Sequence, residues 1–409
     1  MRTTEKSKCL LAFAALACSL LALPFHAAAQ TINLHSTDML PLMTPGWNLG
    51  NTLEAGDSKN NFTPNAGVGS ETAWQATLTT KEVIHYVKSM GFRSVRLPVA
   101  WVMGHITDST SYAIDHLWMD RVQQVVDYCI DNDLYVILND HWDGGWLENS
   151  FKKDISETAI THNSHILKAL WTQIANRFRD YDGHLLFAGL NEPEVENTEQ
   201  MTALSRYEQA FIDAIRETGG NNAQRVLIIQ APVTDIDKAE ALMKQLPEDT
   251  TEGKLMVEVH YYTPYQFTLM NEDADWGKRT FYWGKDNHKE GSAYNATWGE
   301  EDFVRKQFLK MKTLFVDKGY PVLLGEYGTN WRDVDKDGED QAKHDASVKA
   351  WYACVTAEAV RCGIIPMIWD TNYPEMGSMT LIDREKLSLH CTVAYEGIRE
   401  GLKAVGMGK

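Results

Sequence analysis

Basic residues are in short supply. Lys and Arg number 39 against 56 Asp and Glu, a formal charge of −17 at neutral pH. That balance argues against nucleic acid and anionic membranes as partners, since both demand clustered cations. It suits a protein acting on neutral substrates. Cysteine is sparse as well, six in 409 residues, and no Cys-x-x-Cys pair or His-rich tract suggests zinc or redox chemistry. No Gly-x-Gly-x-x-Gly turn announces a dinucleotide site. After Ala29 there is no Pro/Ser/Thr linker, repeat or low-complexity block, so a single domain from Gln30 to Lys409 is the simplest organisation.

Long apolar runs are absent except at the start. Arg2, Lys6 and Lys8 precede an apolar stretch from Cys9 to Phe25, and Ala27-Ala28-Ala29 follows it. This order predicts a signal peptide over residues 1–29, cleaved before Gln30, and hence a secreted protein, extracellular or periplasmic. The stretch falls short of the roughly 20 residues a membrane span requires. Cys18 lies inside the run with Ala15, not Leu, three positions before it, which argues against a lipid anchor. Cys129, Cys354, Cys362 and Cys391 then remain. Export permits disulfides, four cysteines allow three connectivities, and the clustering of Cys354, Cys362 and Cys391 predicts one C-terminal bridge.

What is present is a regular alternation. Short apolar runs, 46–49, 94–97, 135–139, 185–190, 225–230, 255–260, 322–326 and 364–369, read as buried strands. Longer amphipathic stretches lie between them, at 81–90, 116–131, 162–180, 201–218, 236–245, 302–318 and 343–362, with 393–403 last. Eight strands, each followed by a helix, predict an α/β fold of the (β/α)8 TIM-barrel kind, with a doubly wound open sheet as the alternative. Long loops after the strands, 51–79, 140–159, 261–301 and 330–342, are rich in Trp, Tyr, Asn and Gly. In a barrel they crowd the C-terminal face, where active sites are built.

Two of those runs end in a carboxyl. Leu185-Leu186-Phe187-Ala188-Gly189 closes on Leu190-Asn191-Glu192-Pro193, and Pro193 has no N–H to continue a ladder, so pairing stops there. Pro321-Val322-Leu323-Leu324-Gly325 closes on Glu326-Tyr327. Arg96, Asn139-Asp140-His141-Trp142, His260-Tyr261-Tyr262 and Trp369 end other strands. Charged groups at the rim of an apolar barrel are costly unless they pair, so a cluster on one face demands a functional reason. Two carboxyls facing one another meet the needs of a glycosidase.

The motifs Gly46-Trp47-Asn48-Leu49-Gly50-Asn51-Thr52-Leu53-Glu54, Val95-Arg96-Leu97-Pro98-Val99, Asn191-Glu192-Pro193, His260-Tyr261-Tyr262 and Gly325-Glu326-Tyr327-Gly328 resemble glycoside hydrolase family 5, most closely its endoglucanase branches. They follow the family's order over nearly the whole chain after Ala29. The resemblance implies that Glu192 is the acid/base and Glu326 the nucleophile. It places Arg96, His141, Asn191, His260, Tyr262 and Trp369 at the remaining positions of the active site. It further implies a covalent glycosyl-enzyme with retention, and neither metal nor organic cofactor.

Physical reasoning agrees with that division. Retention wants carboxyls about 5–5.5 Å apart in different surroundings. Arg96 and Tyr262 are placed to partner Glu326, and Asn191 to bond the sugar 2-OH. Aromatic faces stack on pyranose rings, so Trp142, Trp146, Trp331 and Trp369, with Trp276, Trp283 and Trp298 in the 261–301 loop, are candidate platforms. Asn48, Asp143 and Glu54 are candidate hydroxyl partners. The Asn139-Asp140-His141-Trp142 lead-in departs from the family's His-His or His-Trp. Asp333-Val334-Asp335-Lys336-Asp337-Gly338 opens like a calcium loop, but His344 stands where a bidentate Glu belongs, so a solvated acidic loop is expected.

These observations predict a secreted, monomeric, retaining endo-β-1,4-glucanase acting on cellulose or mixed-linkage β-glucan. Xyloglucan or β-mannan as substrate, exo action on oligosaccharides, and a non-catalytic carbohydrate-binding protein are the alternatives.

Overall fold

The computed structural model describes residues 32–408, so the predicted signal peptide lies outside the described residues. All eight apolar runs are extended: β1 (Gly46–Asn48), β2 (Ser94–Leu97), β3 (Tyr135–Asn139), β4 (Leu185–Ala188), β5 (Leu227–Gln230), β6 (Leu255–Tyr261), β7 (Val322–Tyr327) and β8 (Ile364–Ile368). They pair in parallel, each with its chain neighbour, and β1 closes the ring by pairing with both β2 and β8. Every residue of the eight strands is buried, as expected of a sheet covered on both faces.

Alternation along the strands divides them between two apolar layers. Val95, Val136, Leu138, Phe187, Ile229, Val257, Val322 and Leu324 face outward to the helices. Ile137, Leu186, Ile228, Met256, Leu323, Ile365 and Met367 face inward, where a short helix, Met39–Met43, caps the N-terminal end of the barrel. Higher on the same inner face stand Arg96, Gln230 and Glu258, all fully buried. The barrel interior is therefore apolar at its base and charged toward its C-terminal mouth.

Among the described residues, eight α-helices of seven residues or more surround it: α1 (Lys81–Ser89), α2 (His116–Asp131), α3 (Glu157–Arg177), α4 (Thr198–Thr218), α5 (Ile236–Leu242), α6 (Glu301–Leu314), α7 (Gln341–Arg361) and α8 (Thr392–Ala404). Side-chain caps set several starts. Ser156 accepts from the Ala159 N–H, so α3 begins five residues before the predicted His162, and Asn197 likewise starts α4 at Thr198. β5 begins at Leu227 because Arg225 turns its guanidinium onto the carbonyls of Phe178, Tyr181, Asp182 and Leu185. Two short hairpins, Ile106–Asp108 with Ala113–Ile114 and Ile382–Asp383 with Ser388–Leu389, were not predicted, being too short for periodicity to register.

The expected C-terminal disulfide is corrected. Cys129, Cys354, Cys362 and Cys391 are all free thiols. Cys354 sits on α7 and Cys362 caps its end, so about 12 Å of helix rise separates them, beyond disulfide reach. Cys391, at the start of the last long helix, is likewise unpaired.

Candidate active site

Parallel pairing brings the strand ends together in a fixed order. Asn48 is level with Arg96 across β1 and β2. Between β6 and β7 the register slips after Val259, so His260 pairs with Glu326 and Tyr261 with Tyr327. That irregularity turns His260 and Tyr262 to the same opening as Glu326.

Arg96 is the hub, with a fully buried side chain. Its Nη1 donates to Glu326 Oε1 at 2.9 Å and to Asn48 Oδ1 at 3.1 Å, and its Nη2 donates to Asn191 Oδ1 at 2.8 Å. Its Nε lies 2.9 Å from Glu258 Oε1. The second oxygen of Glu326 accepts from the Tyr262 hydroxyl at 2.8 Å. Both carboxylate oxygens of Glu326 are thus held by donors in fixed positions.

His260 joins the two catalytic candidates. Its Nδ1 is 2.7 Å from Glu192 Oε1 and 3.7 Å from Glu326 Oε2, and its Nε2 is 3.3 Å from Glu258 Oε1. One ligand atom each from Glu192, His260 and Glu326 lie within 4.8 Å of one another. The Glu192 side chain is 39% exposed, whereas those of Glu326 and His260 are 8% and 4% exposed. Glu192 therefore faces the opening and Glu326 the floor. This donor set is close enough to grip a cation, but the Arg96 guanidinium and a protonated imidazole already occupy its electrostatic centre.

Charge follows from these contacts. Burial favours neutral His260, but the charge of Glu326 and the hydrogen bonds to Glu192 and Glu258 outweigh it and raise the imidazole to about 10. Burial pushes Glu192 up, yet the hydrogen bond and charge of His260, with Arg96 behind, hold it below the ordinary carboxyl range. Glu258 is likewise held low, burial being outweighed by Arg96, His260 and Gln230. Burial and the charges of Arg96 and His260 push His141 well down, so its ring is neutral.

The remaining predicted residues separate into two groups. His141 stacks on Trp369, ring centroids 5.7 Å apart and 8° from parallel, which joins the β3 and β8 ends of the opening. Trp142, half-buried, packs against the exposed Trp74 at 6.4 Å. Trp331 is half-buried against the core and donates its indole N–H to Asp345 at 2.8 Å, so it anchors its loop to α7. Trp283 is fully buried and donates to the Gly299 carbonyl, while Trp276 and Trp298 are exposed.

Three hydroxyl-partner expectations are corrected. Asn48 is fully buried and spends its amide on the Gly325 and Ile368 carbonyls and on Arg96, so it is a strut for Arg96. Asp143 accepts from the N–H groups of Trp101, Val102 and Met103, and Glu54 from Asn51 and Thr52. None of the three has an oxygen left for sugar. In the acidic loop, Asp333 pairs with Lys336 and Asp337 with Arg279.

Sequence reading missed two carboxyls. Glu258 lies behind the site, bonded by Gln230 Nε2 at 2.8 Å. The clue was available: Glu258 stands two residues before His260 in β6 and so shares its face. A Cβ at Gly325 would come within 1.9 Å of Glu258 Oε1, so β7 must carry glycine there. Glu148, on the β3–α3 loop, had no such clue. It is buried, its Oε1 accepts the backbone N–H of Glu192, and burial raises it to about 8.

Comparison with known proteins adds an independent line. Residues 57–374 match the family model described as cellulase (glycosyl hydrolase family 5). A xyloglucan-specific endo-β-1,4-glucanase of Bacteroides ovatus is 35% identical over 90% of this chain and 71% of its own. The crystal structure of a family 5 xyloglucan-specific β-1,4-glucanase from a ruminal metagenomic library, in complex with XXLG, is 45% identical, with a TM-score of 0.83 over 92% of this chain and 97% of that one. A broad-specificity endoglucanase from Ruminococcus champanellensis with bound cellotriose is 31% identical, with a TM-score of 0.74 over 90% and 98% of the two chains.

Proposed function

The chain belongs to glycosyl hydrolase family 5 and is a glycoside hydrolase of the endo-1,4-β-glucanase type, and from that premise we propose that it cleaves xyloglucan with retention, Glu326 attacking and Glu192 serving as acid and then base. The observation that carries the mechanism is the approach of Glu192, His260 and Glu326 to within 4.8 Å. Such spacing suits attack on C1 from one side and protonation of the leaving oxygen from the other, and leaves no room for an intervening water, as inversion would need.

The proton for the leaving group resides in the Glu192–His260 pair, whose two groups titrate as one unit across a 2.7 Å hydrogen bond. Glu326 attacks C1 and the glycosidic C–O bond breaks. His260 Nδ1 hands its proton to Glu192, which delivers it to the departing oxygen and so ends the step as a carboxylate. Glu326 loses its charge as the ester forms, and His260 loses its own in the same step, so the buried cluster keeps a constant net charge. That avoids creating an uncompensated charge in a low-dielectric site. In the second half, Glu192 takes a proton from water, the hydroxide attacks C1, and Glu326 is released as carboxylate while His260 regains its proton. Asn191, oriented by Arg96, offers an N–H to the sugar 2-OH, a bond that strengthens as positive charge develops on the ring.

Two aromatic pairs stand on loops at this end of the barrel. Trp74 with Trp142 belongs to the loops after β1 and β3, and Tyr265 with Trp276 to the loop after β6, with ring centroids 6.0 Å apart. These loops occupy opposite sides of an eight-strand ring, which suits a chain held on both sides of the cleaved bond and hence endo action. Similarity to two xyloglucan-specific enzymes supports xyloglucan over an unbranched backbone. Cellulose or mixed-linkage glucan is the second reading, favoured by the likeness to a broad-specificity endoglucanase. We also propose that the protein is exported, cleaved before Gln30 and monomeric; intact mass and light scattering of the mature protein test these points.

A product time course on xyloglucan, β-glucan, carboxymethylcellulose and mannan, followed by proton NMR of the anomeric signal, tests the function. The expected result is fastest cleavage of xyloglucan, mid-chain, with a β-configured first product. An α-configured first product would overturn the mechanism, and faster mannan cleavage the substrate. Glu326→Ala should abolish turnover by at least about a thousandfold.

A further inference from the structure

Glu148 is a further carboxyl at the mouth of the barrel, and neither the double displacement nor the family match gives it a task. It comes from the β3–α3 loop and contacts the segment after β4 at two points. Its Oε1 accepts the backbone N–H of Glu192, and its own carbonyl accepts the Glu194 N–H at 3.3 Å. Pro193 interrupts the ladder at this point, so β4 supplies no regular pairing to hold the segment. The segment carries both the acid/base and the 2-OH ligand, and Glu148 replaces the missing strand contacts.

We propose that Glu148 is the positioning residue that fixes the backbone of Glu192 beyond β4 and thereby aims the acid/base at the glycosidic oxygen. This rests on the assignment of Glu192 made above. The backbone shows the consequence most directly. Without the Glu148 carboxyl the Glu192 N–H loses this acceptor, and the segment that carries the acid/base keeps only the Glu194 contact to this loop.

The charge state of Glu148 suits this task. The groups facing it are Asp140 from its own loop, Glu192 from β4 and Glu326 from β7, all acidic. Burial, with the charges of Glu192 and Glu326, raises it to about 8. At neutral pH it is therefore an uncharged acceptor that adds no negative charge beside the nucleophile. Above pH 8 it ionises and repels the other carboxyls, which predicts an alkaline loss of activity that originates in Glu148.

The test compares wild type, Glu148→Ala, Glu148→Gln and Glu192→Gln in the mature protein, on polymer and on 2,4-dinitrophenyl β-cellobioside, whose leaving group needs no proton. Glu148→Ala should lower kcat on polymer about ten- to a hundredfold with KM within about twofold. Its kcat/KM on the activated glycoside should fall less than about threefold. Glu148→Gln, still an acceptor for the Glu192 N–H, should recover most of the loss and keep its activity at pH 9, where wild type has declined. Equal losses on both substrates would mark Glu148 as merely structural and overturn the inference, as would no loss on polymer. Should Glu148→Ala fail to fold, the pH 9 comparison of Glu148→Gln with wild type decides, since matching profiles overturn it. Glu192→Gln separates the two levels: wild-type polymer cleavage by that variant refutes the acid/base assignment itself, whereas its inactivity beside a fully active Glu148→Ala refutes only the role of Glu148.

Discussion

His260 shows how one side chain can bridge the carboxyls of the opening and act as a stability element at once. Its folded-state pKa, about 10, stands above the ordinary value near 6.5. Folding therefore takes up a proton between those two values, and stability gained from the pair is complete below pH 6.5 and lost as pH rises through 10. Urea unfolding of wild type should lose on the order of a few kcal/mol across that window, and His260→Gln should flatten the profile. An equally steep profile in both proteins would place the slope in other groups, Glu148 among them. Tyr262 permits a second prediction. Its hydroxyl donates to Glu326 Oε2 at 2.8 Å, so Tyr262→Phe should reduce kcat about ten- to a hundredfold with little change in KM. A change confined to KM would mean that the hydroxyl serves ground-state binding instead.

Among the elements, the strands were legible to within about two residues because each is an apolar run bounded by polar ends and buried on both faces. Helix starts were less legible, since a single cap such as Ser156 or Asn197 outweighs the apolar periodicity that follows. The slip in register between β6 and β7 left no mark on the sequence, although it is what sets His260 opposite Glu326. Packing of α7 against α8 was equally hidden. A Cβ on Gly397 would lie 2.4 Å from the Lys349 carbonyl oxygen, and one on Gly401 2.6 Å from that of Ala353. These glycines let the two helix backbones meet. Gly397→Ala should cost about 1–3 kcal/mol, read as a lower urea midpoint with kcat on polymer unchanged, since the contact is remote from the opening. Wild-type stability would show that α8 can shift away freely.

Across the whole molecule, the acidic surface and the thiols lead to separate expectations. An overall charge of −17 beside a neutral substrate predicts a KM on polysaccharide that barely changes with salt. The four thiols of the described residues are unpaired, and burial raises Cys129 strongly and Cys354 and Cys391 to about 12. Reducing agent should leave the melting temperature unchanged, and alkylating reagent should label these cysteines only after denaturation. A drop in melting temperature with dithiothreitol would restore the disulfide that the sequence suggested.

The sequence by itself determined the barrel and the place of two carboxyls at its mouth, because both follow from local order: apolar runs of strand length, and Glu192 and Glu326 each placed where such a run stops. Arg96, His260, Tyr262 and Trp369 were legible for the same reason. Only the tertiary structure decided which side chains face the opening and which support them. Asn48, Asp143 and Glu54 turned inward because backbone N–H groups and Arg96 claimed their oxygens, and Trp331 turned to Asp345. Glu148 became visible only when the β3 loop folded over the end of β4, because a hydrogen bond between a loop carboxyl and a distant backbone N–H has no periodicity to betray it.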